Sequence, residues 1–353
     1  MRLRTRAVLA FAAAAGIALT GCGSSSTPTA GSNTKSGPFS IGVSNAFVGS
    51  EYRTQMISDI QTTFDEYKTA GLTSTLVLEN ADADVNGQIQ QIRNLINKRV
   101  NVIIVDPNSA TALNAVFKEA TDQGIKVYAI DQAVTAPNVT NVGIDQGAWA
   151  AQSANWLAGK VGKGGKIVAV NGISGNPANE ARWSAAKAIF DKAGVVVLTT
   201  ADGGWDQAKG QTVMSNLLAT YPNIQGVWTQ DGMAQGVFKA TQAAGKIDKV
   251  FVTGEARNGF MRTWNDLQPK FSSVGVVNPP GTGATALHFA IGELQGKKID
   301  PAKLTDGHSV VLPLEPTIDN TNLAATWASV KDKPDSYVLD SVLTKDAVAK
   351  YFS

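Results

Sequence analysis

Short runs rich in β-branched residues alternate with longer amphipathic stretches from residue 39 onward, and this alternation limits the possible folds more than any other feature of the chain. Between two such runs, Ile89, Ile92 and Ile96 recur at helical spacing and form one apolar face. Strands separated by helices of this length predict parallel sheets that are covered on both faces. The predicted strands are residues 39–44, 75–79, 102–105, 126–130, 166–170, 195–199, 226–229, 250–253, 272–277 and 309–314.

The alternation occurs twice along the chain. One series of strands and helices covers residues 39–131, and a similar series covers residues 166–255. The folded part of the chain is also longer than one hydrophobic core usually serves. The sequence therefore predicts an α/β protein with two doubly wound parallel-sheet domains of similar size, in which ligands bind beyond the carboxyl ends of the strands.

Charged, amide and aromatic side chains follow the predicted strands at that edge. They are Tyr52, Arg53, Asp106, Asp131, Trp205, Asp231, Glu255 and Asn278. Ionised carboxylates accept hydroxyl protons, guanidinium groups donate in a planar fork, and aromatic rings cover C–H faces. A cleft with these groups suits a neutral ligand with many hydroxyl groups, such as a sugar or a polyol.

Residues 103–131 and 206–246, together with glycine-rich turns after the strands, resemble the ribose-type periplasmic binding proteins, the type I sugar-binding subunits of ABC importers. The resemblance implies two domains that are joined by a three-segment hinge and close on a ligand held between them, with no cofactor. It implies crossings between the domains near residues 143–146, 277–280 and 313–317.

The hinge positions define the predicted domains. The N-terminal lobe consists of residues 39–143 and 279–313, and the C-terminal lobe of residues 144–278 and 314–353. The tail from residue 322 carries a further helical stretch, which we expect to pack on the C-terminal lobe. The implied function is an extracytoplasmic solute-binding protein that acts as a monomer and delivers its sugar or polyol to an ABC import permease.

The resemblance also implies the positions of sugar contacts. They are Tyr52, Arg53, Asp106, Asp131, Arg182, Trp205, Asp231, Glu255 and Asn278. Structural alternatives remain open for five of these residues. Asp131 could form a turn or cap a helix, Asp106 could form a turn before Pro107, and Trp205 could pack against apolar residues. Arg182 could form an ion pair with Glu180 or Asp191, and Glu255 could form one with Arg257. Gln132 stands where the ribose pattern has arginine, which favours a polyol or another pentose or hexose over ribose.

The only cysteine, Cys22, ends the motif LTGC after a basic start and an apolar run too short to cross a bilayer comfortably. The motif resembles the lipobox of bacterial lipoproteins, in which the cysteine is lipidated. It predicts a signal peptide at residues 1–21, a flexible tether at residues 22–38 and a lipid anchor, such as palmitate, at the outer face of the cytoplasmic membrane. An ordinary secretory signal is the alternative.

Several classes of function are disfavoured by composition. The formal charge of +2 includes the arginines of the signal, and no basic block indicates a nucleic-acid partner. One cysteine excludes a thiolate metal cluster, and the calcium-like run at residues 82–87 has Arg93 where a calcium loop needs glutamate. We predict that the protein is not an enzyme. A carbohydrate hydrolase with paired carboxylates and a sugar-sensing receptor module are the alternatives.

Overall fold

The computed structural model describes residues 37–353. The predicted signal peptide, Cys22 and nearly all of the predicted tether lie outside the described residues. No helix within residues 37–353 combines the length and the apolar character that crossing a bilayer requires.

The strands of the described chain follow the predicted alternation. They are β1 (Phe39–Asn45), β2 (Thr73–Asn80), β3 (Val102–Asp106), β4 (Lys126–Ile130), β5 (Thr140–Ile144), β6 (Lys166–Asn171), β7 (Val196–Asp202), β8 (Gly226–Thr229), β9 (Phe251–Val252), β10 (Gly254–Glu255), β11 (Gly275–Val276) and β12 (Ser309–Leu312). Every predicted strand overlaps an observed one.

The helices cover the intervening stretches. They are α1 (Glu51–Thr69), α2 (Val85–Asn97), α3 (Asn114–Asp122), α4 (Gln146–Val161), α5 (Pro177–Ala193), α6 (Gln207–Thr220), α7 (Ala234–Ala243), α8 (Asn258–Asp266), α9 (Thr282–Leu294), α10 (Leu323–Val330) and α11 (Lys345–Ala349), with a 3₁₀ turn at Pro301–Lys303. Local chemistry explains several ends. Asp145 and Asp206 accept hydrogen bonds from backbone N–H groups in the first turns of α4 and α6, and Gly194 ends α5 in the left-handed conformation.

The strands form two main parallel sheets. The first has the order β12-β5-β4-β3-β1-β2 and the second the order β7-β6-β8-β9, while β10 and β11 form a short parallel pair. Alternate residues of β3 enter different cores. Val102 and Ile104 pack with residues of α1 and α9, whereas Ile103 and Val105 pack with residues of α2 and α3. The first sheet is therefore covered on both faces, as a parallel sheet requires.

β5 is the one long strand that the sequence analysis missed. It contains Asn141 and Gly143, which are poor strand formers, so the run lacks the apolar continuity of its neighbours. Pairing with β4 on one side and β12 on the other holds it in the sheet.

The chain passes between the two sheets three times. After β5 it enters α4, which packs against α5 and β8. After β11 it enters α9, which packs against α1 and β4, and after β12 it returns to Ile318, which bridges to Gly275 beside β10. We call the first sheet with α1–α3 and α9 the first lobe, and the second sheet with α4–α8, β10 and β11 the second lobe.

The tail corrects the prediction that residues 314–353 belong wholly to the C-terminal lobe. α10 packs against α8 of the second lobe, but α11 packs against α9 of the first. The ring centroids of Tyr351 and Phe352 lie 5.2 and 5.8 Å from that of Phe289 on α9. The sequence shows a helical stretch with apolar residues, but nothing in it specifies which lobe those residues meet.

Candidate functional site

A cavity lies between the two lobes, at the carboxyl ends of the strands. Seven of the nine predicted contact residues line it, whereas Asp106 and Glu255 do not. The lining residues are Phe47, Ser50, Tyr52, Arg53, Asp131, Ala178, Arg182, Trp205, Asp231, Gly232, Arg257 and Asn278. The cavity therefore lies where the strand-end rule predicts a ligand.

Asp131 joins the two lobes at the base of the cavity. It directly follows β4 and has a left-handed φ of 61°, which aspartate tolerates better than most residues. Its Oδ1 accepts hydrogen bonds from Asn278 Nδ2 at 3.1 Å and from Gln146 Nε2 at 3.2 Å. Asp131 pairs with no basic side chain among residues 37–353. Its carboxylate is thus oriented by amides and its charge is left for a ligand that donates hydrogen bonds.

Arg53 is held within the first lobe. Its Nη1 donates to Asn45 Oδ1 at 2.7 Å and lies 2.8 Å from Asp106 Oδ2. Burial raises the pKa of Asp106 well above its usual value, and the positive charge of Arg53 partly opposes that rise. Gln132 donates to the other oxygen of Asp106 at 3.1 Å. Asp106 therefore lies behind the cavity wall as the buried partner of Arg53, and its direct contact with a ligand stays a prediction.

Arg182 occupies the second-lobe wall. Its Nη1 lies 2.5 Å from Asp231 Oδ1, and its guanidinium carbon lies 4.2 Å from the centre of the Trp149 ring. Its Nε donates to Gln146 Oε1 at 2.7 Å. The alternative partners, Glu180 and Asp191, do not pair with it. Because Gln146 also donates to Asp131, one amide links the arginine of the second lobe to the carboxylate of the first.

Aromatic rings line the cavity from both lobes. Trp205 is half-buried, and its Nε1 donates to Gln230 Oε1 at 3.0 Å. Its ring lies so close to Gly172 that a Cβ there would be 2.1 Å from Cε2, so only glycine permits this approach. Phe47 and Tyr52 contribute rings from the first lobe. Trp205 therefore packs against Gly172, as the structural alternative expects, and also lines the cavity.

Tyr52 supplies a neutral donor beside Asp131. Its hydroxyl lies 3.4 Å from the carbonyl oxygen of Pro279. Burial raises the pKa of Tyr52 well above its usual value, and the nearby carboxylates of Asp131 and Asp106 add to the rise. The phenol therefore keeps its proton at neutral pH.

Glu255 also lies behind the cavity wall. Its Oε1 accepts from Gln207 Nε2 at 2.7 Å and lies 3.3 Å from Arg257 Nε, and its Oε2 accepts from the backbone N–H of Gly232. Burial raises the pKa of Glu255, and Arg257 opposes that rise. This geometry matches the alternative, an ion pair with Arg257, and a direct contact of Glu255 with a ligand stays a prediction.

Arg257, Gln146, Phe47 and Ser50 are site residues that the sequence analysis did not select. Arg257 and Phe47 do follow predicted strands, so a signal was present. Gln146 lies at a predicted crossing, but its role depends on where the two lobes meet. Sequence periodicity does not record that placement.

The calcium-like run has a local structural role. Asp84 accepts a hydrogen bond from the backbone N–H of Gly87 at 2.8 Å and caps α2. Within residues 37–353, no group of three or more histidine, cysteine, aspartate or glutamate side chains is placed to hold a metal ion.

Comparison with known proteins agrees with this architecture. A family described as "Periplasmic binding protein domain" matches residues 41–298. The D-allose-binding periplasmic protein of Escherichia coli (strain K12) is 29% identical over 67% of this chain and 79% of its own length. The xylitol-binding protein of Mycolicibacterium smegmatis is 31% identical over 67% and 66% of the two chains. A crystal structure of an ABC transporter solute binding protein from Thermobispora bispora shares the fold with a TM-score of 0.79, at 24% identity over 88% and 94% of the two chains. The predicted fold class is confirmed.

Proposed function

The chain belongs to the periplasmic binding protein domain family, and from that premise we propose that it captures a neutral sugar or polyol between its lobes and delivers it to the permease of an ABC importer. The observation that carries the proposal is the Asp131 carboxylate. It lies at a cavity between the lobes and is oriented by amides rather than neutralised by an arginine. A hydroxyl-rich ligand supplies the donors that such a carboxylate accepts.

The charge balance around the cavity favours a neutral ligand over an anionic one. Each arginine of the wall already has a carboxylate partner, so none presents an unbalanced positive charge. The carboxylates are Glu51, Asp106, Asp131, Asp231 and Glu255, against the arginines Arg53, Arg182 and Arg257. Relatives that are named for binding D-allose and xylitol support the same ligand class. The contacts that we assign to the ligand are Tyr52, Arg53, Asp131, Arg182, Trp205, Asp231 and Asn278.

Closure of the lobes is the proposed mechanism. A ligand that contacts Asp131 and Tyr52 on one side and Arg182 and Trp205 on the other binds the closed arrangement better than the open one. Shifting such an equilibrium almost completely requires a difference of about 5.5 kcal/mol in binding free energy. Charge-assisted hydrogen bonds contribute about 1.5–3 kcal/mol each, so about two to four supply this difference. The permease then recognises the closed form.

We further propose that Cys22 carries a lipid that anchors the protein, as a monomer, at the outer face of the cytoplasmic membrane. The lipobox-like motif LTGC supports this localisation. Mass spectrometry of the protein from a membrane fraction tests it. An unmodified chain that is released into the medium would contradict it.

The hydrolase alternative needs two carboxylates that both face the bound ligand. Of the four candidate carboxylates, Asp106 and Glu255 lie behind the wall, and Asp231 pairs with Arg182. This arrangement favours binding without chemistry. A sensory module would use the same cavity and differs only in the protein that recognises the closed form.

Calorimetric titration with D-allose, D-ribose, xylitol and myo-inositol tests the proposed function, with D-ribose 5-phosphate as the anionic control. We expect at least one neutral ligand to bind, to be recovered unchanged and to make the protein more compact in small-angle scattering. Tighter binding of the phosphate, release of a product or identical scattering with and without ligand would each contradict the proposal.

A further inference from the structure

We propose that Arg257 is a specificity-determining residue, which donates a hydrogen bond from Nη2 to an oxygen of the ligand. The inference rests on the proposed function, and it adds a contact that the strand-end pattern did not assign. Arg257 lines the cavity between the lobes, and its side chain is only 3% exposed. A guanidinium in that position either contacts the ligand or blocks part of the space that the ligand needs.

The protein forms hydrogen bonds with one of the three guanidinium nitrogens. Nη1 donates to Glu51 of the first lobe and to the carbonyl oxygen of Ser336, the latter at 3.0 Å. Nε is buried and lies 3.3 Å from Glu255 Oε1 as an ion pair without a hydrogen bond. Nη2 has no hydrogen-bond partner in the described part of the chain and is not among its fully buried unpartnered atoms. Because Nε is enclosed by the protein, Nη2 is the nitrogen that is left for a ligand at the cavity.

The segment at residues 335–340 contacts Arg257 and its neighbours from outside the cavity. Val338 pairs with Arg257 in an isolated β-bridge, and the N–H of Leu339 donates to the carbonyl of Ala256 at 2.7 Å. Gln55 of the first lobe binds the same segment twice, with its Nε2 3.0 Å from the Val338 carbonyl oxygen and its Oε1 2.9 Å from the Val338 nitrogen. Arg257 is therefore positioned by both lobes together.

The chemistry of this contact differs from that of Asp131. A guanidinium only donates, so Nη2 requires an acceptor oxygen, either a ring oxygen or a hydroxyl lone pair. Glu51 and Glu255 already balance the positive charge, so the site does not demand an anion. Asp131 and Arg257 would thus recognise opposite hydrogen-bonding roles on one neutral ligand, which distinguishes ligands by the placement of their oxygens.

The test uses Arg257→Met and calorimetry with the tightest ligand among D-allose, D-ribose, xylitol and myo-inositol, together with its monodeoxy derivatives. We expect Arg257→Met to weaken the parent ligand about 10- to 100-fold, as for a lost charge-assisted hydrogen bond. The derivative that lacks the oxygen contacted by Nη2, either one deoxy derivative or the analogue without the ring oxygen, should bind the wild type and the variant with equal affinity. In that derivative the hydrogen bond from Arg257 is already absent. A purely structural role would weaken every derivative by the same factor.

Glu51→Gln provides a second variant that does not depend on the core. Glu51 is 45% exposed, so its loss leaves the fold intact while loosening Arg257. We expect about a threefold to tenfold loss for the parent ligand and none for the same deoxy derivative.

Three results would overturn the inference. The first is that Arg257→Met binds the parent ligand with wild-type affinity. The second is that Arg257→Met weakens the parent ligand and every deoxy derivative by the same factor. The third applies where Arg257→Met fails to fold, and it is that Glu51→Gln binds the parent ligand with wild-type affinity. If the wild type binds none of the four neutral ligands, the proposed function fails and the inference fails with it. Wild-type binding with an unaffected variant removes only the inference.

Discussion

Arg53 and Arg257, on opposite walls of the cleft, are held in different ways. In the first lobe, Arg53 is fixed by Asn45 and Asp106, which belong to the same lobe. In the second lobe, Arg257 reaches Glu51 of the first lobe. The geometry of Arg53 is therefore complete within one lobe, whereas that of Arg257 is complete only where the lobes meet. This difference means that Arg257, unlike Arg53, depends on the contact between the lobes.

The largest expected effect comes from removing the carboxylate partner of Arg53. Asp106→Ala leaves the buried Arg53 without its ion-pair partner, and we expect the free energy of unfolding to fall by about 3 kcal/mol or more. Glu51→Ala removes a half-exposed partner of Arg257, and we expect a change within about 1 kcal/mol. Urea denaturation measures both. Equal losses would mean that Arg53 and Arg257 are not held in different ways.

Asp131 lies at the junction of the walls, so its replacement should affect binding more than stability. We expect Asp131→Ala to weaken the neutral ligand at least about tenfold and to change the melting temperature by only a few degrees. Asp131→Asn is the matched control for the left-handed backbone, since asparagine tolerates that conformation. It should lose comparable affinity because the charged acceptor is gone. Unchanged affinity in either variant would remove Asp131 from the site.

Gln146 connects the walls directly, and its loss should have a smaller effect. Gln146→Ala deletes the amide that binds both Asp131 and Arg182, and we expect about a fivefold weaker affinity, or about 1 kcal/mol. Gln152→Ala on the same helix is the control, because Gln152 bonds to the backbone of Glu315 and not to Asp131 or Arg182. Similar affinities for the two variants would show that the link does not contribute to binding.

The smallest expected effect concerns the tail where it meets α1 of the first lobe. Burial and the neighbouring Asp340 raise the pKa of Asp59 to about 7. The folded state therefore holds a proton that the unfolded chain releases near pH 4. Its stabilising contribution is complete at low pH and is lost as the pH rises from about 4 to about 7.

Melting temperatures measured between pH 5 and pH 8 test this contribution. We expect the wild type to lose stability over that range and Asp59→Asn, which keeps the shape without the titration, to lose less. If the two proteins show the same pH dependence of the melting temperature, protonation of Asp59 does not contribute to stability over this range.

Much of this structure is predictable from local sequence. Hydrophobic periodicity and turn residues predicted every strand with strong apolar character. The strand-end rule selected Asp131 and Trp205, and both line the cavity. Asp106 and Glu255 lie behind the cavity wall instead, where each is the last residue of its strand and pairs with an arginine, a placement that the strand-end rule does not specify. The rule failed for Arg257 because contacts between lobes determine the role of that residue.

The packing of the tail on α9 has a practical consequence for measuring domain motion by fluorescence. The N–H of Ser353 donates to the carbonyl of Lys298 at 2.9 Å, so the C-terminal residue is attached to the same half of the protein as β1. A fluorophore joined to the carboxyl terminus would travel with that half, and a dye near Phe39 would keep a constant distance from it. An optical sensor for the captured solute needs its second dye on the opposite half, for example on the exposed side of α6.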